Sequence, residues 1–166
     1  SRLWQRHTGR VLDGVLQVGD FGAFPDVGRL DDATARYARD DPDELGFSEY
    51  MRACEEGDRL LADTAWPVLW VRGNHEDFEY LGRFRSPGAV DPWGRLIYLP
   101  DGTATEVAGL RIGALGGVAP RREQRGRGKK ARKQFRKSTG RVDPRLFTRR
   151  QAEGSFLDGP LDVLLT

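Results

Sequence analysis

The stretch Pro67-Val68-Leu69-Trp70-Val71-Arg72-Gly73-Asn74-His75-Glu76 decides how this chain folds. Its first half is an apolar run of β-branched and aromatic residues, introduced by a proline, which starts strands but does not sit inside central ones. Its second half changes abruptly to a glycine and three polar residues, so a buried strand ends there and its last residues reach the rim of a sheet. Upstream, Val15-Leu16-Gln17-Val18 ends in the same way at Gly19-Asp20.

Working outward, short apolar runs alternate with longer polar or helical stretches, which predicts a mixed α/β sheet. Between the two strands, Phe47, Tyr50, Met51, Cys54, Leu60 and Leu61 recur at roughly helical spacing. With Ser48 as a start signal, they predict a helix near 47–62, with Cys54 as a buried small hydrophobe on its apolar side. The Asp-rich piece 26–46, with Asp41-Pro42-Asp43, reads as a loop or broken helix. After residue 95, the runs Leu96–Leu99, Thr103–Val107 and Leu110–Leu115, separated by Pro100-Asp101-Gly102 and Ala108-Gly109, predict an antiparallel meander that ends at Gly116-Gly117. A helix around 147–157 and a last buried strand over 161–166 follow. Trp4, Trp66, Trp70 and Trp93 read as core or rim packing.

The formal net charge of +2 conceals a strong asymmetry. Residues 121–150 carry fourteen Lys or Arg against Glu123 and Asp143, a local +12, so the rest of the chain is −10. Aromatic Phe135 and Phe147 are interleaved with these cations, a composition suited to a phosphate backbone and one that predicts salt-dependent binding. The competing reading is a solvated, arginine-rich loop, because outside the segment there are thirteen more arginines. A hydrophobic fraction of 38% is enough for a core, and 166 residues are enough for one domain. No apolar run approaches the roughly 18–20 residues of a membrane span, so no membrane partner is expected. The lone Cys54 rules out an intrachain disulfide, and with no secretory signal visible a reducing, cytoplasmic setting is the expectation.

Chemistry concentrates at the strand ends, since ligands of open α/β sheets gather outside the carboxyl ends of the strands. A carboxylate such as Asp20 can bridge two divalent cations, an Asn74 carbonyl oxygen can complete the shell of one, and the adjacent His75 imidazole can protonate a leaving oxygen. Taken singly, Gly19-Asp20 is an ordinary turn or helix cap, and Gly73-Asn74-His75-Glu76 an ordinary turn. Occurring together, each behind a buried strand, they form half of a two-metal hydrolytic site.

This pair of motifs resembles the second and third motifs of the calcineurin-like metallophosphoesterase superfamily. In looser outline, Val15–Phe21, Pro67–Glu76, Ile97–Leu99, Gly109–Gly113 and Gly116-Gly117 resemble its RNA lariat debranching branch. The resemblance implies a mixed β-sandwich flanked by helices, incomplete, spanning 1–166 as one domain. It implies two divalent ions of the Mn, Fe or Zn type bound by Asp20 and Asn74, catalysis by His75, and Glu76 orienting that imidazole. In the debranching outline the acidic interval 26–46 lies near the site.

The family's first motif, Asp-x-His, has no counterpart, because His7 lies in Arg6-His7-Thr8; the later histidine motifs are also missing, His7 and His75 being the only histidines. The expectation is therefore an internal segment of a longer phosphoesterase, one that alone binds metal weakly and turns over essentially nothing. Two function classes remain open: hydrolysis of a phosphate ester, with a phosphodiester favoured, and a non-catalytic or degenerate nucleic-acid binder acting through 121–150.

Overall fold

The computed structural model describes residues 2–42, 46–61, 65–118, 143–154 and 159–166. The chain is mixed α/β. Helix α1 (Arg2–Thr8) leads to strand β1 (Val15–Gln17), a 3-10 turn (Val27–Arg29) and helices α2 (Asp32–Tyr37), α3 (Gly46–Tyr50) and α4 (Glu55–Leu61). Strand β2 (Val68–Trp70), helix α5 (Phe78–Leu81) and strands β3 (Gly88–Ala89), β4 (Leu96–Tyr98), β5 (Ala104–Val107) and β6 (Leu110–Ala114) follow. Helix α6 (Arg149–Gly154) and strand β7 (Val163–Leu165) complete the order.

Among the described residues, seven strands form two mixed sheets, one in the order β1-β2-β4-β3 and one in the order β5-β6-β7. In the first, β1, β2 and β4 run parallel and β3 antiparallel; in the second, β5 and β6 form a hairpin and β7 joins β6 in parallel. Alternation along the strands decides what each face meets. Leu69, Val71 and Leu99 point to one side and form a buried cluster with Ile112, Ala114 and Leu165 of the second sheet. Trp70, Leu96 and Tyr98 point to the other side, where they pack with Ala23, Phe47 and Leu81 beneath the helices. Trp70 is completely buried there, stacked on Phe21 with ring centroids 4.9 Å apart.

Four sequence expectations change. The meander is only a hairpin: β4 lies in the first sheet beside β2, and the Pro100-Asp101-Gly102 turn carries the chain across to the second. The helix expected over 47–62 is two helices, with 51–54 between them. Ser48 is buried inside α3 rather than capping it. Cys54 is exposed and starts α4 instead, its sulfur accepting the Gly57 N–H at 3.3 Å. A side chain that serves as a helix cap faces the open end of the helix, so the thiol cannot also enter the core.

The interval 26–46 is more ordered than a loop. Asp26 caps the 3-10 turn and Asp31 caps α2, so its acidic residues work as local caps as well as solvated charges. Helix α6 starts at Arg149 rather than at the expected 147, and the expected end, within 155–158, lies outside the described residues. Most of the basic segment, 121–142, also lies outside them; Arg145, Arg149 and Arg150 are described and exposed. Among the described residues no helix is long and apolar enough to cross a membrane.

Candidate functional site

Strands β1 and β2 pair in register, Val15 with Val68 and Gln17 with Trp70, so their carboxyl ends emerge side by side. The two following loops come into close contact. Gly19 has φ +107°, and a β-carbon built on it would lie 2.9 Å from the Gly73 Cα. One on Gly73 would overlap the Asp20 carboxylate and backbone nitrogen. Glycine is required at both positions because the two backbones touch. Asp20 itself sits at φ +50°, a left-handed conformation that Asp tolerates better than most residues.

That conformation turns the Asp20 side chain onto the second loop. Its Oδ1 accepts the N–H of Asn74 at 2.8 Å and of His75 at 3.2 Å. The two motifs found in sequence are thus brought together, 54 residues apart in the chain. Phe21, stacked on Trp70, anchors the first loop from the core side.

Glu76 is 3% exposed and faces inward. Its carboxylate accepts the N–H groups of Phe21 (2.9 Å), Ala23 (2.7 Å) and Gly73 (3.1 Å), one from each side of the contact between the loops and one from further along the first. Burial pushes its carboxyl above the ordinary value, against the three N–H groups and with the nearby Asp20 adding to the rise. The resemblance assigned Glu76 to orienting His75, and the geometry differs. The imidazole Nδ1 instead meets Asp31 Oδ2 at 3.0 Å. Glu76 instead spends its oxygens on backbone, Oε1 on the N–H groups of Phe21 and Gly73 and Oε2 on that of Ala23.

Asp31 has two tasks. Oδ1 accepts the N–H groups of Ala33 and Thr34, both at 2.9 Å, which starts α2, while Oδ2 holds His75. Burial raises its carboxyl, but the Thr34 N–H and His75 outweigh that, leaving it below the ordinary value. Sequence reasoning missed Asp31 as a site residue. The only signal was the density of Asp in 26–46, which did not single it out.

Two cavities flank His75. One, of about 430 Å³, is lined by Asp20, Thr34, Tyr37, Asp41 and Phe47; the other, of about 490 Å³, by Asn74, Asp31, Arg29 and Arg145, among others. His75 lines both. In the lining of the second cavity, Arg29 grips Asp77 through Nε (2.6 Å) and Nη2 (2.9 Å), and Asp77 Oδ1 accepts the N–H groups of Glu79 and Tyr80 at the start of α5.

That grip has a pH signature. The Arg29 hydrogen bonds hold the Asp77 carboxyl below its ordinary value, in opposition to burial. A folded-state value below the unfolded one contributes stability at neutral pH that is lost as pH falls through the folded value. In urea unfolding measured from pH 7 to pH 2, the wild type is expected to lose stability below about pH 4 more steeply than Arg29→Leu does. Superimposable acid limbs would show that the pair contributes nothing.

The donor set does not fit a binuclear metal centre by itself. Asp20 Oδ1 already takes two N–H groups and His75 Nδ1 already takes Asp31. Among the described residues no group of three or more His, Cys, Asp or Glu side chains stands close enough to hold a metal ion. Asp20 and Asn74 also line different cavities. What the described residues do assemble is a buried staple, an exposed carboxylate and a carboxylate-held imidazole at the edge of a sheet. The chain matches no protein-family model, and no curated protein matches it.

Proposed function

We propose that this chain carries part of a phosphate-ester hydrolysing site of the metallophosphoesterase type, acting on a phosphodiester. The observation that carries the reading is the meeting of Asp20 and the Asn74-His75 backbone at the ends of two adjacent parallel strands. A mixed β-sandwich with helices outside is the architecture that goes with it. Two divalent cations of the Mn, Fe or Zn type belong to this reading, and they need ligands beyond the described residues to join Asp20 and Asn74.

The described residues supply proton handling. With Nδ1 held by Asp31, the His75 ring is oriented, and Nε2 is the nitrogen left to deliver a proton to a leaving alkoxide oxygen. Lining both cavities, the imidazole can serve an ester whose two halves extend into them.

The test is a metal titration with a phosphodiesterase assay on the protein as its gene encodes it. Asp20→Ala is expected to abolish metal-dependent hydrolysis, and undiminished turnover in that variant would end the reading. His75→Ala is expected to slow esters with alkyl leaving groups by about 10²–10⁴-fold and p-nitrophenyl esters far less, because only the former need a proton. Equal losses on both would remove His75 from the role of acid. The other reading, a non-catalytic nucleic-acid binder, rests on the charge of 121–150 and predicts salt-dependent oligonucleotide binding indifferent to Asp20.

A further inference from the structure

A third cavity, of about 370 Å³, opens beside the His75 loop. Phe78 lines both it and the cavity that Asn74 and His75 line, so the two meet across one ring. Its lining is aromatic in part, with Phe84 and Tyr98 edge to face at 5.9 Å between ring centroids and Phe78 also among the lining residues. Its floor is the buried pair Arg72–Asp101, and that pair is already committed. Arg72 donates to Asp101 and to the carbonyls of Pro144 and Leu146, and Asp101 also accepts from the Gly116 N–H and the Gln151 amide.

The open polar groups are on the walls. Tyr98 is 3% exposed and lines the cavity, and its hydroxyl has no hydrogen-bond partner among the described residues. A hydroxyl in the cavity lining that no described group engages is open to an occupant that offers an acceptor. Burial, reinforced by Asp101, pushes the phenol above its ordinary value, so the proton stays in place to be donated. Thr103 also lines the cavity; its hydroxyl donates to the Pro100 carbonyl at 2.7 Å and keeps its lone pairs as acceptors. Arg85, exposed, adds a cation to the lining.

We propose that this cavity is a nucleobase subsite, in which a planar base packs among Phe78, Phe84 and Tyr98 and accepts the Tyr98 hydroxyl hydrogen on its edge. A base is the occupant that suits these walls. It offers a flat π-face to aromatic rings and carries both acceptors and donors on one edge, matching the Tyr98 donor and the Thr103 acceptor. Its attached phosphate then lies across Phe78, towards Asn74 and His75. This deepens the phosphoesterase reading to a nucleotide-containing substrate, and rests on it only for where the phosphate goes.

The test is binding to the 166-residue chain without metal, by calorimetry, of the four common nucleoside monophosphates, ribose 5-phosphate and inorganic phosphate. At least one nucleotide is expected to bind about tenfold or more tighter than ribose 5-phosphate. Tyr98→Phe, which keeps the ring in the core, is expected to cost about tenfold for that nucleotide and nothing for ribose 5-phosphate. Phe84→Leu, at a partly exposed wall, is expected to weaken the same nucleotide again. Equal affinity for nucleotide and ribose phosphate overturns the proposal, as does a nucleotide preference that survives Tyr98→Phe. Because this measurement reads no turnover, the two readings fail separately: base-dependent binding here, with no metal-dependent hydrolysis by the protein as its gene encodes it, would refute the phosphoesterase reading and keep the subsite. Hydrolysis without base preference would do the reverse.

Discussion

Glu76→Ala is expected to lose about 4 kcal/mol or more of folding stability, read by urea denaturation, together with the site. The carboxylate removes three backbone N–H groups from the list of unpaired donors, those of Phe21, Ala23 and Gly73. Each buried donor left without a partner costs about 1–3 kcal/mol, and the vacated side-chain volume adds to that. Against a total stability of about 5–15 kcal/mol, this is a large fraction. Because Phe21 and Gly73 adjoin Asp20 and Asn74, the loss falls on the contact that builds the site. Glu76→Gln keeps one acceptor oxygen but turns an NH₂ group towards an N–H, so an intermediate loss is expected. A Glu76→Ala protein as stable as the wild type would show that water replaces the carboxylate without cost.

Arg72→Met is expected to cost about 3–5 kcal/mol, because removing one partner of a buried ion pair leaves the other charge uncompensated. Arg72 reaches Asp101 from Nε at 2.7 Å and Nη2 at 2.6 Å, with both side chains buried, and Nη1 donates to the Pro144 carbonyl at 2.6 Å. The node joins the exit of β2, the β4–β5 turn and the segment before α6. The size of the loss should depend on pH. Burial already raises the Asp101 carboxyl, with Arg72 pulling it back, and without Arg72 it rises further. A folded-state value above the unfolded one penalises folding as pH rises through it, so the deficit of Arg72→Met should shrink as pH is lowered towards 4. Arg72→Met with Asp101→Asn should recover part of the loss. A pH-independent deficit would mean that lost packing, and not the stranded carboxylate, is what the substitution costs.

Strand positions were legible in sequence because burial on both faces requires continuous apolar runs, as at Val68–Trp70, and because Gly19 and Gly73 stop those runs where backbones must touch. Which sheet a strand joins was less legible. Leu96–Tyr98 and Ala104–Val107 read alike as neighbours across a tight turn, yet the Asp101 side chain, held by Arg72 and the Gly116 N–H, fixes that turn between sheets. The broken helix around 51–54 had the same cause, since apolar spacing continues across the break and only the Cys54 cap reveals a new start.

At the site, sequence placed Asp20, Asn74, His75 and Glu76 together, and local chemistry was enough for that. Short range explains it: each residue directly follows a strand whose burial is written in its own side chains, so the rim position is a local property. The partner of each side chain is not local. Asp31 reaches His75 across 44 residues and Glu76 reaches Phe21 across 55, distances along the chain that periodicity cannot bridge. Likewise Arg72 reads as the polar end of a strand and becomes a buried node only when the second sheet and residues 144–146 close over it. By itself, the sequence determined which residues stand at the sheet's edge, because alternation and glycine act one residue at a time. Tertiary structure alone decided what each one holds, because a hydrogen bond to a buried carboxylate depends on where distant segments meet.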